Sequence, residues 1–416
     1  MARACDPLAF GSQVLILGSS RLQFGDFFLV VPPTFTTLAY DELKLKQDKI
    51  AAICRDVGLL NGDCKWQVVL DQDGISIANL PLEVGFALNV FLKIPTRILL
   101  RLKSFRCRDF PKLYKQTQKI AWGQYIDGSK VPKIKASASK SRLMMLKRIE
   151  RAVADGISKF FSNTEKTKVE SEADVYVRLF DDTCTLSIDT SGMALYKRHH
   201  GKKVGDAPIR ETIAAALLLK MKEYQAHFPE KNLTLVDPML GSGTFLLEAK
   251  TFGKGTQSRQ FTFLSYPCVK NKEDNFQKLF GSDLLTPLWE KRCIGYDRSE
   301  KMLACARENL QGLPGISLRN QDIFADLKEH SPGSVILICN PPYGKRISFG
   351  DVPSLFFNKL LLMILEKWNP YLTAVIVPEE IMRDKGFKIP TQFRLIDTFK
   401  FLNGGVKVSL LMLAKS

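Results

Sequence analysis

The stretch Asn340-Pro341-Pro342-Tyr343 holds the residues best suited to chemistry. It follows the apolar run Val335–Cys339, which predicts a buried strand. Two consecutive prolines fix the backbone and remove two N–H donors, so carbonyl oxygens and the Asn340 amide oxygen remain as acceptors. Such acceptors suit an –NH₂ group on a flat base, because they orient its lone pair for attack on a methyl group and stabilise the charge that develops. Tyr343 offers a flat face to a base lifted from its stack.

A glycine-rich turn, Asp237-Pro-Met-Leu-Gly-Ser-Gly-Thr244, lies about a hundred residues earlier. A strand predicted at Leu233–Val236 runs into it, and a helix is expected to follow. Gly241 and Gly243 permit backbone conformations closed to other residues and the close approach of a ligand. The turn lacks the third glycine of a dinucleotide-binding loop and the ending of a P-loop, which disfavours a nicotinamide enzyme and an NTPase.

Two aspartates follow the next predicted strands, Cys293–Tyr296 and Ile316–Arg319. Asp297 is placed to hydrogen-bond the ribose hydroxyls of a bound nucleoside. Asp322 is placed to accept from the amino group of an adenine. Asp297 comes 60 residues after Asp237, whereas a compact βαβ unit needs roughly 20. Residues 253–292 are therefore predicted to be an insertion.

The C-terminal half alternates strands and helices, which predicts an α/β fold with a parallel sheet. A polar connector, residues 199–206, precedes a helix expected from Pro208 to Lys222. Phe393–Phe401 and Val406–Leu413 are predicted to form an antiparallel hairpin at one edge of the sheet. The first 195 residues read as α+β material. Its predicted elements are strands at Phe27–Val31, Gly74–Ile77, Val175–Phe180 and Thr185–Asp189, and helices at Tyr40–Arg55 and Ser137–Phe160.

The net charge of +17 is typical of proteins that bind polyanions, although it does not by itself separate RNA, DNA and anionic membrane. Basic residues concentrate between Lys112 and Lys168. Most charge runs are solvated helix faces. Here the local density, added to the global excess, favours an anion-binding surface.

A chain of 416 residues predicts two or three domains. No apolar run approaches the length of a membrane span, and the N-terminus lacks a secretory pattern, so no membrane partner and a cytoplasmic location are expected. None of the nine cysteines forms a C-x-x-C pair, so neither a disulfide framework nor a metal site is expected.

Together these features resemble the class I methyltransferases that act on guanine N2 in RNA. Within them, the chain is similar to the bacterial branch that joins a ferredoxin-like segment and a THUMP domain to the methyltransferase. The resemblance is carried by the two motifs above and supported by Ile188–Gly192, Leu195–Arg198 and Ala207–Leu217. It implies a ferredoxin-like segment at 1–75, a THUMP RNA-binding domain at 76–195 and a Rossmann-like class I methyltransferase domain at 196–416.

The resemblance also implies S-adenosyl-L-methionine as methyl donor and assigns roles to single residues. The residues expected to bind the cofactor are Asp237, Pro238, Gly241, Ser242, Gly243, Thr244, Asp297, Asp322 and Arg210. Those expected to be catalytic and to hold the target base are Asn340, Pro341, Pro342 and Tyr343. Leu240 stands where many members of the family have a smaller residue.

The leading expectation is methylation of guanine N2 in 23S rRNA. A guanine in tRNA is an alternative substrate. Adenine N6 in RNA or DNA is another, because the same acceptors serve either amine. A non-catalytic RNA-binding or assembly factor is disfavoured, because a site without activity has no need to keep all of these residues. The sequence makes no prediction about the oligomeric state.

Overall fold

The computed structural model describes residues 14–15, 22–71, 73–162, 173–199, 201–203, 209–225, 233–257, 259–325, 334–343 and 352–415. They divide into two compact units. The first comprises residues from 1–32, 43–198 and 255–284, and the second comprises residues from 33–42, 199–254 and 285–416. The predicted fold class, an α+β N-terminal region before an α/β region, is confirmed.

The first unit begins with a ferredoxin-like arrangement. Its elements are β1 (Val14–Leu15), β2 (Leu22–Val30), α1 (Thr36–Asp56), β3 (Gln67–Asp71), β4 (Gly74–Pro81), α2 (Leu82–Phe91) and β5 (Arg97–Arg106). The first residues of α1, 36–42, belong to the second unit. Strands β3, β4, β2 and β5 lie side by side in that order, and each pair is antiparallel. The chain order βαββαβ with this pairing is the ferredoxin-like motif. We propose that this segment extends to Arg106 rather than ending at residue 75.

The same sheet continues into a second group of elements. These are α3 (Phe110–Gln118), β6 (Ile134–Ser139), α4 (Leu146–Ser162), β7 (Val175–Phe180) and β8 (Thr183–Asp189). Strand β8 pairs antiparallel with β5 and with β7, and β6 pairs parallel with β7 at the edge.

The helix predicted over Ser137–Phe160 is wrong in its first part. Residues up to Ser139 belong to β6, and the helix begins only at Leu146. Leu143 lies in a loop, and its side chain is buried there. Its spacing to the later apolar residues therefore matched that of a helix by coincidence. The hydrogen bonds that β6 makes with β7 come from a segment some forty residues away, which local periodicity does not reveal.

Helix α4 separates apolar from basic residues. Ile149, Val153 and Ile157 are buried. Nearly all the basic residues predicted to form the anion-binding surface are exposed: Lys112, Lys115, Lys119, Lys130, Lys133, Lys140, Arg142, Lys147, Arg148, Arg151 and Lys159. Lys135 is half-buried and pairs with Asp174, and Lys166 and Lys168 lie outside the described residues.

The second unit is a doubly wound sheet. Its strands are β9 (Thr234–Asp237), β10 (Cys293–Asp297), β11 (Ile316–Asn320), β12 (Val335–Cys339), β13 (Leu372–Pro378), β14 (Phe393–Asn403) and β15 (Val406–Lys415). The order is β11-β10-β9-β12-β13-β15-β14. The first five strands are parallel, and β15 is antiparallel to both neighbours, so the predicted edge hairpin is confirmed. The strand order reverses between β9 and β12, where ligands bind in folds of this kind.

The remaining helices, numbered along the chain, are α5 (Glu211–Gln225), α6 (Thr244–Thr251), α7 (Glu273–Gln277), α8 (Glu300–Asn309), α9 (Pro353–Trp368) and α10 (Glu379–Met382). Helix α5 begins three residues after the predicted Pro208, which lies outside the described residues.

Much of the predicted insertion belongs to the first unit. Residues 255–284 form a segment of short helices within that unit. Phe263 stacks on Phe86 at a centroid distance of 5.2 Å, and the Tyr266 hydroxyl donates to the Asp189 carbonyl oxygen at 2.5 Å. Arg259 donates to the Ala194 carbonyl oxygen at 3.1 Å. An aromatic cluster therefore holds the segment, although its overall composition is polar.

Candidate cofactor and target-base site

Three of the predicted site residues, Asp237, Asp297 and Asn340, lie at the carboxyl edge of the sheet in the second unit. Strands β9 and β12 are parallel neighbours in which Val236 lies opposite Leu337. Asp237 ends β9, and Asn340 follows β12 directly. Asp297 ends β10, on the other side of β9. The residues expected to bind the cofactor and the residues expected to bind the base therefore follow adjacent strand ends.

The glycine-rich turn joins β9 to α6. Gly241 and Gly243 have φ values of 54° and 82°, in the left-handed region that favours glycine. A Cβ on Gly241 would meet no atom within 4 Å, so open space adjoins the turn. Pro238, Ser242 and Thr244 are buried, and the Ser242 carbonyl oxygen accepts from the Asn309 amide at 2.9 Å. The turn leads directly into the N-terminus of α6, where backbone N–H groups favour a carboxylate.

Asp297 holds this turn in place. Its Oδ2 accepts from the Gly241 N–H at 2.8 Å, and its Oδ1 accepts from the Ser299 N–H at 2.8 Å. Each carboxylate oxygen can accept a second hydrogen bond. Asp297 can therefore bind both hydroxyls of a ribose while it fixes the turn.

Asp237 is buried deeply, with 2% of its surface exposed. Burial raises the pKa of Asp237 to about 8, and the negative charge of Asp297 adds to this, although a hydrogen bond from the Met239 N–H opposes it. A cation placed beside this carboxyl would favour its ionised form. S-adenosyl-L-methionine carries an ammonium and a sulfonium group. The donor set of carboxyls, open glycine turn and helix N-terminus thus fits this cofactor.

Asp322 and Arg210 lie at two further places. Asp322 is half-buried beyond β11, and its Oδ1 accepts from the Phe324 N–H at 2.9 Å. Ile323 beside it is buried. Arg210 is exposed one residue before α5, where its carbonyl oxygen accepts from the Ala214 N–H at 2.9 Å.

Lys202 is a residue that the sequence did not single out. Its side chain is only 5% exposed. Its Nζ donates to Glu211 Oε1 at 2.7 Å and to Thr244 Oγ1 at 2.9 Å. It thereby links the starts of α5 and α6 beside the glycine-rich turn. A lysine in a polar connector gave no sequence signal of this role.

The Asn340 stretch presents an unused acceptor. Asn340 Oδ1 is buried and has no hydrogen-bond partner among the described residues. Leaving such an atom unpaired costs about 1–3 kcal/mol, a cost removed when a donor arrives. Pro341 is buried, Pro342 is half-buried, and Tyr343 is 7% exposed with its hydroxyl bound by Asn403. The motif residues 344–346 lie outside the described residues.

Comparisons with known proteins identify two domains. Residues 198–380 match the RMKL-like methyltransferase domain, and residues 107–189 match the THUMP domain. Residues 198–380 therefore form an RMKL-like methyltransferase domain, and residues 107–189 form a THUMP domain. The THUMP match begins directly after Arg106, where the ferredoxin-like motif ends.

Two relatives and a solved structure share much of this chain. A Synechocystis protein described as a candidate RNA methyltransferase, slr0064, is 27% identical over 78% of this chain and 85% of its own length. The ribosomal RNA large subunit methyltransferase K/L of Psychromonas ingrahamii is 28% identical over 84% of this chain. The chain spans only 46% of that relative. The structure of SMU.472, a methyltransferase candidate complexed with SAH, has a TM-score of 0.69 at 20% identity, and the match covers 94% of this chain and 98% of that one.

The match to the RMKL-like methyltransferase domain confirms the predicted enzyme class and cofactor. The protein is a methyltransferase that depends on S-adenosyl-L-methionine. In the described part of the chain, no helix is long and apolar enough to cross a membrane. The described residues also hold no group of three or more histidine, cysteine, aspartate or glutamate side chains arranged to bind a metal ion.

Leu240 in the glycine-rich turn is accommodated by Gly295 on β10. A Cβ at position 295 would lie 2.7 Å from the Leu240 side chain. Leu240 is buried, and its N–H donates to the Tyr296 carbonyl oxygen at 2.8 Å. The larger residue therefore packs over a glycine and leaves the turn intact.

Proposed function

We propose that this enzyme methylates the exocyclic N2 of a guanine in RNA. The observation that carries the proposal is the buried Asn340 amide oxygen, which lacks a partner among the described residues and follows the strand next to Asp237. A guanine amino group brings two N–H donors. The Asn340 oxygen and a carbonyl oxygen of the proline pair provide the acceptors.

The chain's own residues then prepare the amine. Hydrogen bonds to both amine hydrogens leave the nitrogen lone pair pointing away from Asn340, and they stabilise the positive charge that develops on the nitrogen. The bound cofactor supplies an electrophilic methyl group. Once methylated, the amine is acidic, so the Asn340 and Pro341 oxygens guide its proton to water. We assign no general base.

The first unit supports an RNA substrate. It contains the THUMP match and the exposed basic residues around α4. A relative named for the large ribosomal subunit favours 23S rRNA, with a tRNA guanine as the alternative. A cytoplasmic location remains a prediction that follows from such a substrate.

The test is to incubate the enzyme with labelled S-adenosyl-L-methionine and, separately, deproteinised 23S rRNA and tRNA. Digestion to nucleosides followed by mass spectrometry identifies the product. We expect N2-methylguanosine from 23S rRNA. N2-methylguanosine from tRNA alone would make tRNA the substrate instead of 23S rRNA. N6-methyladenosine would show that the target base is adenine and not guanine. No labelled nucleoside from either RNA would overturn the proposed function.

A further inference from the structure

The turn between β14 and β15 lies at the same edge of the sheet as the Asn340 stretch. Strand β15 is antiparallel to β13, and Val408 lies opposite Pro378, the last residue of β13. Strand β14 is antiparallel to β15 and therefore runs in the direction of β13. Its last residue, Asn403, is thus brought to the carboxyl edge of the sheet.

The turn itself is tight and holds Asn403 in a defined position. Asn403 pairs with Val406, so Gly404 and Gly405 alone connect the strands. Both glycines have positive φ values, 58° and 86°. Two left-handed residues in a two-residue hairpin correspond to a type I′ turn, whose twist matches that of the strands.

The Asn403 side chain contacts the target-base motif. Its Nδ2 donates to the Tyr343 hydroxyl oxygen at 2.5 Å. Tyr343 is buried, and a buried phenol hydroxyl requires hydrogen bonding. Pro341 and Pro342 fix the backbone that leads to Tyr343. The ring is therefore held at its backbone end by the prolines and at its hydroxyl end by Asn403.

We propose that Asn403 is a positioning residue for methyl transfer, which fixes the plane of the Tyr343 ring against the target base. This inference rests on the proposed function, in which Tyr343 contacts that base. In this proposal Asn403 acts through Tyr343 and not by its own contact with the base or the cofactor. It makes the β14–β15 turn a supporting part of the target-base pocket, although 60 residues of chain separate the two positions.

Asn403→Ala removes the donor and lets the ring tilt. We expect kcat to fall about tenfold, since small misplacements of reacting groups slow transfer strongly. The affinities for S-adenosyl-L-methionine and RNA should change less than about twofold, because the proposed role of Asn403 acts only through Tyr343. Asn403→Asp should restore part of kcat, since its carboxylate can accept from the Tyr343 hydroxyl. Leu402→Ala, on the exposed face of the same strand, is the matched control and should retain full kcat.

A double-mutant cycle separates this role from a general loss of stability. Tyr343→Phe removes the other half of the hydrogen bond and should lower kcat by a similar factor. The double variant Asn403→Ala/Tyr343→Phe should be no slower than either single variant. Rates are divided by the fraction of protein that binds the cofactor in calorimetry. Full kcat in Asn403→Ala, or rate reductions that multiply in the double variant, would overturn the inference.

A spectroscopic measurement keeps the inference testable even if wild-type protein methylates no RNA, an outcome that would overturn the proposed function alone. In protein labelled with 3-fluorotyrosine, the resonance of position 343 is assigned by its loss in Tyr343→Phe. We expect this fluorine resonance to shift in Asn403→Ala and to stay in place in Leu402→Ala. An unchanged resonance in Asn403→Ala would show that the hydrogen bond does not hold the ring.

Discussion

Replacing Asp237 with asparagine should stabilise the cofactor-free enzyme and weaken its affinity for S-adenosyl-L-methionine. Burial raises the pKa of Asp237 to about 8, whereas an ordinary aspartate ionises near 3.8. Between these pH values the unfolded chain has released the proton that the folded chain retains. The free energy of unfolding therefore falls as the pH rises from about 4 to about 8, and the Asp237 contribution is constant above that.

The size of the effect follows from the pH interval. Between pH 5.5 and pH 8, each pH unit removes about 1.4 kcal/mol, which amounts to roughly 3 kcal/mol. Asparagine does not titrate, so the free energy of unfolding of the variant does not fall by this amount as the pH rises. For a unit of about 200 residues, 1 kcal/mol shifts Tm by roughly 3 °C. The difference in Tm between Asp237→Asn and wild-type protein should therefore increase by roughly 10 °C between pH 5.5 and pH 8.5.

Scanning calorimetry without cofactor at pH 5.5 and pH 8.5 measures this difference in Tm. Glu366→Gln, which neutralises an exposed carboxylate on α9, is the control and should follow wild-type protein. Titration calorimetry should show cofactor affinity at least about tenfold weaker in Asp237→Asn, because a neutral amide cannot balance a cation. If the Tm difference between Asp237→Asn and wild type is the same at both pH values, the assignment of a raised pKa to Asp237 is wrong.

Two further predictions concern the turn and the basic surface. Gly295→Ala, which brings a Cβ within 2.7 Å of Leu240, should weaken cofactor binding about tenfold in calorimetry, and adding Leu240→Ala should restore it. Unchanged affinity in Gly295→Ala would contradict the packing argument. Lys147→Ala/Arg151→Ala should weaken RNA binding and reduce the salt slope of log affinity by about one for each phosphate that these side chains neutralise, measured by fluorescence anisotropy. Lys49→Ala, an exposed lysine on α1, is the control, and an unchanged slope in the double variant would remove α4 from the RNA-binding surface.

Strands β9, β10 and β12 could be predicted because burial on both faces leaves nearly continuous apolar runs. Strand β12 has the predicted bounds, and all five of its residues are buried. The carboxyl-edge positions of Asp237 and Asp297 followed from the same strands. Strand β6 could not be predicted in this way, because it lies at a sheet edge and its residues are only partly buried.

Contacts between distant parts of the chain could not be predicted from the sequence patterns. The hydrogen bond from Asn403 to Tyr343 and the link from Lys202 to Thr244 join segments that share no periodicity. The aromatic residues of 255–284 gave no indication that they would pack on Phe86 in the first unit. Such contacts depend on the assembled fold. The roles assigned to the individual site residues remain predictions that mutation must test.

The proposed methyl transfer depends on the Asn340 oxygen, which would bind the target amine. Single-turnover methyl transfer from labelled S-adenosyl-L-methionine to RNA in wild-type protein and Asn340→Ala measures this dependence, with the cofactor affinity of both determined by calorimetry. Removing one oriented hydrogen-bond partner of a transition state slows transfer about 100-fold or more. We therefore predict at least that loss of rate with unchanged cofactor affinity. Transfer at the wild-type rate in Asn340→Ala would show that this oxygen does not bind the target amine.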